Sequence, residues 1–291
     1  MSHETLRLPA RDGHQLAARV YLPDGPVRRA VLIASAMGVP QRFYEAYATW
    51  LSTQGVAVMS FDWRGTGESA PPRLRGFKAS ITDWATLDLA GVVDAFCARW
   101  PDVPRSYLGH SLGGQLFGWL DAPERFERVL TVASGNGYWR LNAPAIRRQA
   151  PLLWWVLAPV GIAVAGYFPG KRLGAIGDLP SAAMWQWRRW CLHPDYLGAE
   201  GAALRTRYAQ VRVPIRAVIL DDDELLSPEG IRKLYRLYAQ APVQFEHLHP
   251  HELGMKQIGH FGLFKQSAAQ RLWPATLNWL EGLPAAGQSG V

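Results

Sequence analysis

The stretch Ser106-Tyr107-Leu108-Gly109-His110-Ser111-Leu112-Gly113-Gly114 constrains this 291-residue chain more than any other. A short apolar run enters a Gly-x-Ser-x-Gly segment, and helix-compatible sequence leaves it. That spacing suits a sharp strand-to-helix turn lifting Ser111 Oγ above a sheet, with small residues at 109 and 113 letting the backbone fold tightly. The helix that follows aims its positive end at any oxyanion formed beside Ser111. The motif is common, and a glycine-rich turn with an incidental serine spells the same letters. A working serine also needs a base and an acid elsewhere in the chain.

The surrounding pattern is that of a parallel sheet. Leu6–Pro9 and Gln15–Leu22 flank Asp12-Gly13, a hairpin signal. Ala30–Ala34 is a continuous apolar run, as expected of a strand buried on both faces, Val56–Phe61 is the next buried strand, and Arg128–Ala133 and Ile215–Leu220 read as further strands. Gln244–Leu248 reads as the last strand. Between the strands, Phe43, Tyr44, Tyr47, Trp50 and Leu51 recur at helical spacing until Gly55, and Trp84, Leu87, Leu89, Val92, Val93 and Phe96 form a second helical stripe. Ser227-Pro228 makes a helix start, and Leu272–Leu280 reads as the last helix. Strands alternating with helices predict an α/β fold with a mostly parallel sheet.

The alternation breaks between Ser134 and Tyr208, where six of the 13 tryptophans and six prolines gather. The expected organisation is a core in two parts, 1–133 and 209–283, with a helical, Trp-rich cap at 134–208 and a disordered tail at 284–291. Residues 150–170 carry no charge and approach the roughly 20 residues of a membrane span. Pro151 and Pro159 interrupt the run, and it lies between two strands of one sheet. It is therefore expected to line a pocket as a cap. Peripheral contact with a membrane surface is the second reading, because aromatics and the nearby Arg147, Arg148, Lys171 and Arg172 suit an interface.

The formal charge is +7, spread as arginine without a Lys/Arg-rich run, so a solvated basic surface is expected and no nucleic-acid partner. With only Cys97 and Cys191 there is no disulfide framework, and no cationic-then-apolar leader opens the chain, so a cytoplasmic location is expected.

His260, in Ile258-Gly259-His260-Phe261-Gly262, is the candidate base. It lies on a glycine-flanked loop after the last strand, in the order Ser…Asp…His. Asp221-Asp222-Asp223-Glu224 follow the strand ending at Leu220. Three aspartates there are costly to desolvate together, so at least one needs a specific partner. Asp223 is the candidate acid and Asp222 the alternative; a solvated acidic turn accounts for one or two of the run. Leu112 N–H is one expected oxyanion donor, and Met37 N–H, in Ser35-Ala36-Met37-Gly38-Val39-Pro40, is the other, with Ala36 close behind. His110 is expected to pack rather than to act as a second base. His247, His249 and His251 alternate, so a strand would place them on one face, but only Glu246 and Glu252 lie near enough to complete a metal site. No metal or cofactor is expected. Gly65 and Gly67 are too little to argue phosphate binding.

These residues resemble the α/β-hydrolase superfamily over nearly the whole chain. The elbow, the turn Asp62-Trp63-Arg64-Gly65-Thr66-Gly67-Glu68-Ser69, the acidic strand end at 221–223 and His260 carry the match. Met37-Gly38-Val39-Pro40-Gln41-Arg42-Phe43-Tyr44, Asp222-Asp223-Glu224 and Gly259-His260-Phe261-Gly262 resemble a bacterial branch related to serine-aminopeptidase-like and lysophospholipase-like proteins. The resemblance implies an eight-stranded, mostly parallel sheet with a cap inserted after the sixth strand. Many members carry His-Gly at the oxyanion loop, where this chain has Ser35-Ala36-Met37-Gly38. Serine at the elbow, not aspartate, argues against the dehalogenase and epoxide-hydrolase branches. The expected activity is hydrolysis of an ester or thioester of a small molecule with a hydrophobic acyl or aryl part, through an acyl-enzyme. An amide substrate is the alternative, for which Asp178, Asp195 and Glu200 are the candidate ammonium partners. A non-catalytic binding protein on a membrane surface is the other.

Overall fold

The computed structural model describes residues 3–174 and 176–283. Eight strands form one sheet in the order β1-β2-β4-β3-β5-β6-β7-β8: β1 (Glu4–Pro9), β2 (Gln15–Tyr21), β3 (Arg29–Ala34), β4 (Val56–Phe61), β5 (Arg105–His110), β6 (Arg128–Val132), β7 (Ile215–Leu220) and β8 (Val243–Leu248). β1 and β2 pair antiparallel, as do β2 and β4. All pairs from β4 to β8 are parallel. The β1–β2 hairpin closes through Gly13 N–H to the Ala10 carbonyl at 2.8 Å, with Gly13 at φ 84°.

Every residue of β3 and β4 is buried, as a strand covered on both faces requires. The period of two sorts them into two cores. Ala30, Leu32 and Ala34 face Trp84, Val92 and Phe96, while Val31 and Ile33 face Tyr44, Tyr47, Leu51 and Trp273. The second core is built by helices Glu45–Thr53 and Trp273–Glu281. Because β3 to β8 run parallel, the loops that leave them all emerge at one edge. That is where ligands of open α/β sheets bind.

Between β6 and β7 the chain inserts a helical unit. Its first helix, Pro144–Ala165, includes a π turn at Leu153–Leu157 just after Pro151. Helices Ser181–Leu192 and Ala202–Gln210 follow. The unit is moored near the elbow: Tyr196 Oη donates to Gln115 Oε1 at 3.0 Å, and Tyr208 Oη donates to the Gln115 carbonyl at 2.5 Å. Gln186 Nε2 donates to Thr82 Oγ1 at 2.7 Å, fastening the second helix to the core. Residues 284–291, the predicted tail, lie outside the described residues.

Candidate active site

Ser111 sits at the end of β5 with φ 50° and ψ −114°, a backbone state that L-residues avoid. Its neighbours have no room for side chains. A Cβ on Gly109 would stand 2.3 Å from Gly114 Cα, and one on Gly113 would stand 2.1 Å from the Ala34 carbonyl oxygen. Ser134 Oγ donates to the Ser111 carbonyl at 2.8 Å, and Tyr107 Oη donates to the Gly113 carbonyl at 2.6 Å. The elbow is thus clamped from β3, β5 and the start of the insertion.

His260 and Asp223 meet across the loops after β8 and β7. His260 Nδ1 lies 2.8 Å from Asp223 Oδ2 and 3.0 Å from Oδ1, and both side chains are buried. Asp223 Oδ1 also accepts the N–H groups of Leu225 and Leu226 at 2.7 and 2.9 Å, which fixes the carboxylate. Asp222, the alternative acid, bonds the backbone of the His260 loop and neither imidazole nitrogen. Its two oxygens accept the N–H groups of Ile258 and Gly259 at 2.8 and 3.0 Å. Glu224 Oε2 accepts His260 N–H at 2.9 Å. Asp221, paired with His249 at 3.4 Å, is the exposed turn residue expected in this run. Acids 222 to 224 together carry the His260 loop, a division of labour that their adjacency does not reveal.

His110 packs as expected and also bonds at both ring nitrogens. Its Nε2 lies 3.0 Å from the His260 carbonyl, and its Nδ1 lies 2.8 Å from Tyr44 Oη. A carbonyl only accepts, so Nε2 carries the proton and Nδ1 accepts from Tyr44. Tyr44 Oη in turn accepts Ala36 N–H at 2.9 Å. The Ala36 amide is therefore spent within the fold, which leaves Met37 as the donor candidate in that loop. Burial, reinforced by the nearby His260, pushes the His110 pKa well below its ordinary 6.5, so the ring is neutral.

The turn after β4 is a brace. Asp62 is buried and accepts Gln41 N–H at 2.7 Å and Glu68 N–H at 2.8 Å. A Cβ on Gly67 would stand 2.3 Å from its carboxylate. Arg64 binds Asp88 at 2.6 Å and forks onto Asp12 at 2.7 and 2.9 Å. Of the three histidines, His247 and His249 stack with ring centroids 6.1 Å apart, although β8 ends at Leu248 before His249 and His251. His247 bonds Arg232 at 2.6 Å while His249 turns to Asp221. The acids of the insertion are also committed: Asp195 to Arg205, Glu200 to Gln186, Trp190 and Arg189, and Asp178 to the Lys171 amide.

Residues 25–161 match the family model of serine aminopeptidase, S33. Mouse (Mus musculus) monoglyceride lipase is 28% identical over 107 residues, which are 36% of this chain and 34% of that protein. RutD of Variovorax paradoxus is 33% identical over 129 residues, 44% of this chain and 45% of its own. The chain thus aligns with less than half the length of either curated relative. A solved structure of monoglyceride lipase from Saccharomyces cerevisiae, a soluble variant with a substrate analog, shares the fold at TM-score 0.66 and 15% identity, covering 97% of this chain and 95% of that one. Fold and family comparisons point the same way: the fold is that of the α/β-hydrolases, and residues 25–161 are similar to the serine aminopeptidase, S33, family.

Proposed function

We propose that this protein is a serine hydrolase that cleaves an ester or thioester through an acyl-enzyme. The buried pairing of His260 Nδ1 with Asp223 at 2.8 Å, at the same sheet edge as the strained Ser111, carries the reading. Ser111 Oγ attacks the carbonyl carbon and His260 Nε2 takes its proton. Asp223 holds the Nδ1–H tautomer and stabilises the cation. Leu112 and Met37 N–H groups receive the oxyanion. The intermediate collapses, the alkoxide or thiolate leaves with the proton from His260, and a water repeats the sequence on the acyl group. The scheme needs no metal or cofactor. The monoglyceride lipase relative supports an ester, and the committed acids at 178, 195 and 200 leave little to hold a substrate ammonium. The free, buried thiols of Cys97 and Cys191 suit a reducing cytoplasm. The test is a panel of p-nitrophenyl esters of graded chain length with wild type and Ser111→Ala, alongside fluorophosphonate labelling. Chain-length-dependent hydrolysis lost in Ser111→Ala supports the reading. No adduct at Ser111 in folded protein favours a non-catalytic binding protein instead.

A specific surface supports a second element, peripheral contact of the proposed cap with a bilayer. Helix Pro144–Ala165 is long and apolar enough to cross a membrane, and only 22% of its most apolar window is buried. Ala150, Trp154 and Ala158 face the core, while Leu152, Val156, Val160 and Val164 are exposed at intervals of four, with Trp155 beside them. The exposed stripe is about 18 Å long at 1.5 Å per residue. A crossing would separate β6 from β7, which are hydrogen-bonded neighbours. Lying flat suits the stripe and the exposed Arg147 and Arg148 at its start. Co-sedimentation with phosphatidylglycerol vesicles that is lost in Trp155→Ser/Val160→Ser supports this; wild type remaining in the supernatant sinks it.

A further inference from the structure

A cleft of about 910 Å³ opens at the catalytic edge, between the loop after β3, the loop after β4 and the insertion. Its position follows from strand order. β3 lies between β5, which carries Ser111, and β4, whose loop forms the cleft floor. Gly38, directly after Met37, lines it, and so does Gly177 of the insertion. These two backbones touch: a Cβ on Gly177 would stand 2.3 Å from the Gly38 carbonyl oxygen. The cleft therefore sits against the outer side of the proposed oxyanion loop.

The charge of its walls is one-sided. Arg42, Arg73, Arg75, Lys171 and Arg172 line it against Asp62, Glu68 and Asp178. The acids are already used. Asp62 is bound to backbone amides, Glu68 pairs with Arg19 at 2.7 Å, and Asp178 accepts the Lys171 amide at 3.1 Å. Among the described residues, Arg73 and Arg172 have no carboxylate within ion-pair distance. Apolar walls from Leu74, Val164 and Tyr167 complete the cleft. Guanidinium forks in a concave site favour planar or tetrahedral oxyanions over neutral groups.

We propose that this cleft receives the anionic group, a carboxylate or phosphate, of a ligand whose ester carbonyl lies at Ser111. The inference rests on the hydrolase reading and narrows its substrate class. β5 and β4 are two strand spacings apart, roughly 10 Å, which sets the lateral scale between the carbonyl at Ser111 and the loop after β4 that floors the cleft. An acyl chain of roughly eight carbons spans that distance.

The test compares mono-p-nitrophenyl suberate with its neutral ω-methyl ester, in wild type and in Arg73→Glu/Arg172→Glu. Wild type is expected to prefer the anionic ester by at least about tenfold in kcat/KM, with the preference falling in high salt. The variant loses that preference while its rate on the neutral ester stays within about twofold, which also reports that it is folded. Equal preference in both proteins overturns the proposal. If neither ester is cleaved in a Ser111-dependent way, the hydrolase reading fails, and titration with octyl phosphate reads the cleft by itself. One-to-one binding lost in the variant upholds an anion site, and no binding overturns it. Inorganic phosphate and phosphatidylglycerol vesicles, run in parallel, separate a free anion and a lipid headgroup from a soluble amphiphile.

Discussion

His110 Nε2 donates to the main-chain carbonyl of His260 at 3.0 Å, so the residue before the proposed nucleophile holds the backbone of the proposed base. The chain of bonds runs on through Tyr44 to the Ala36 amide, in the loop proposed to hold the oxyanion. Three loops that must agree on one geometry are thereby tied through two buried side chains. Tyr44→Phe removes the middle link and leaves two buried polar groups, Ala36 N–H and His110 Nδ1, without that partner. Each orphan costs roughly 1–3 kcal/mol. Denaturant unfolding of the variant should show a loss in that range, with reduced turnover of any ester the wild type cleaves. A loss below about 0.5 kcal/mol would count against the tie.

The same ring gives the protein an acid-side sensitivity. Burial, with His260 beside it, holds the His110 pKa well below 6.5, so the folded state refuses a proton that the unfolded chain accepts. Protons bound by the unfolded state alone make stability rise with pH. The contribution of His110 is therefore present above about pH 6.5 and lost as the pH falls below it, by up to about 1.4 kcal/mol per pH unit. His110→Gln can keep a donor and an acceptor but does not titrate. Its unfolding free energy should fall less steeply than that of wild type between pH 7 and pH 5 in parallel denaturant titrations. Parallel slopes would assign the acid sensitivity to other groups.

The two aspartates after β7 should separate cleanly in kinetics. Asp223→Asn keeps the shape but presents the wrong partner to His260 Nδ1, and a loss of roughly 10⁴-fold in kcat is expected. Asp222→Asn weakens the cradle under Ile258 and Gly259 and touches no imidazole nitrogen. It should cost about 1 kcal/mol of stability. Its kcat should remain far above that of Asp223→Asn. Equal losses would mean that loop placement, and not charge at Nδ1, governs the base.

What could be read from the letters depended on how local the cause was. β3 and β4 were legible because strands buried on both faces are apolar nearly throughout, and the elbow because its glycines answer to contacts within a few residues and one neighbouring strand. The choice between Asp222 and Asp223 was open because adjacent carboxylates look alike until the loop after β8 arrives to sort them. Glu224 and Tyr44 were missed as supports of the site because their partners lie 36 and 66 residues away. The histidine alternation held for the stacked pair His247 and His249, although the strand itself stops at Leu248.

The backbone of Ser111 offers a last test that needs no substrate. At φ 50° and ψ −114° any residue with a Cβ is strained, and glycine is not. In ordinary helix or strand positions glycine is less stable than alanine by roughly 0.5–1 kcal/mol. At position 111 the order should invert. Ser111→Gly is expected to be more stable than Ser111→Ala by about 1 kcal/mol, because only glycine releases the strain. Both variants lack the hydroxyl, so both should be inactive and unlabelled by fluorophosphonate. Thermal and denaturant unfolding of the pair decide the matter. Glycine above alanine means that the fold spends stability to present this one side chain, as a site selected for reactivity would; the ordinary order means the elbow is relaxed and its geometry has no such cost.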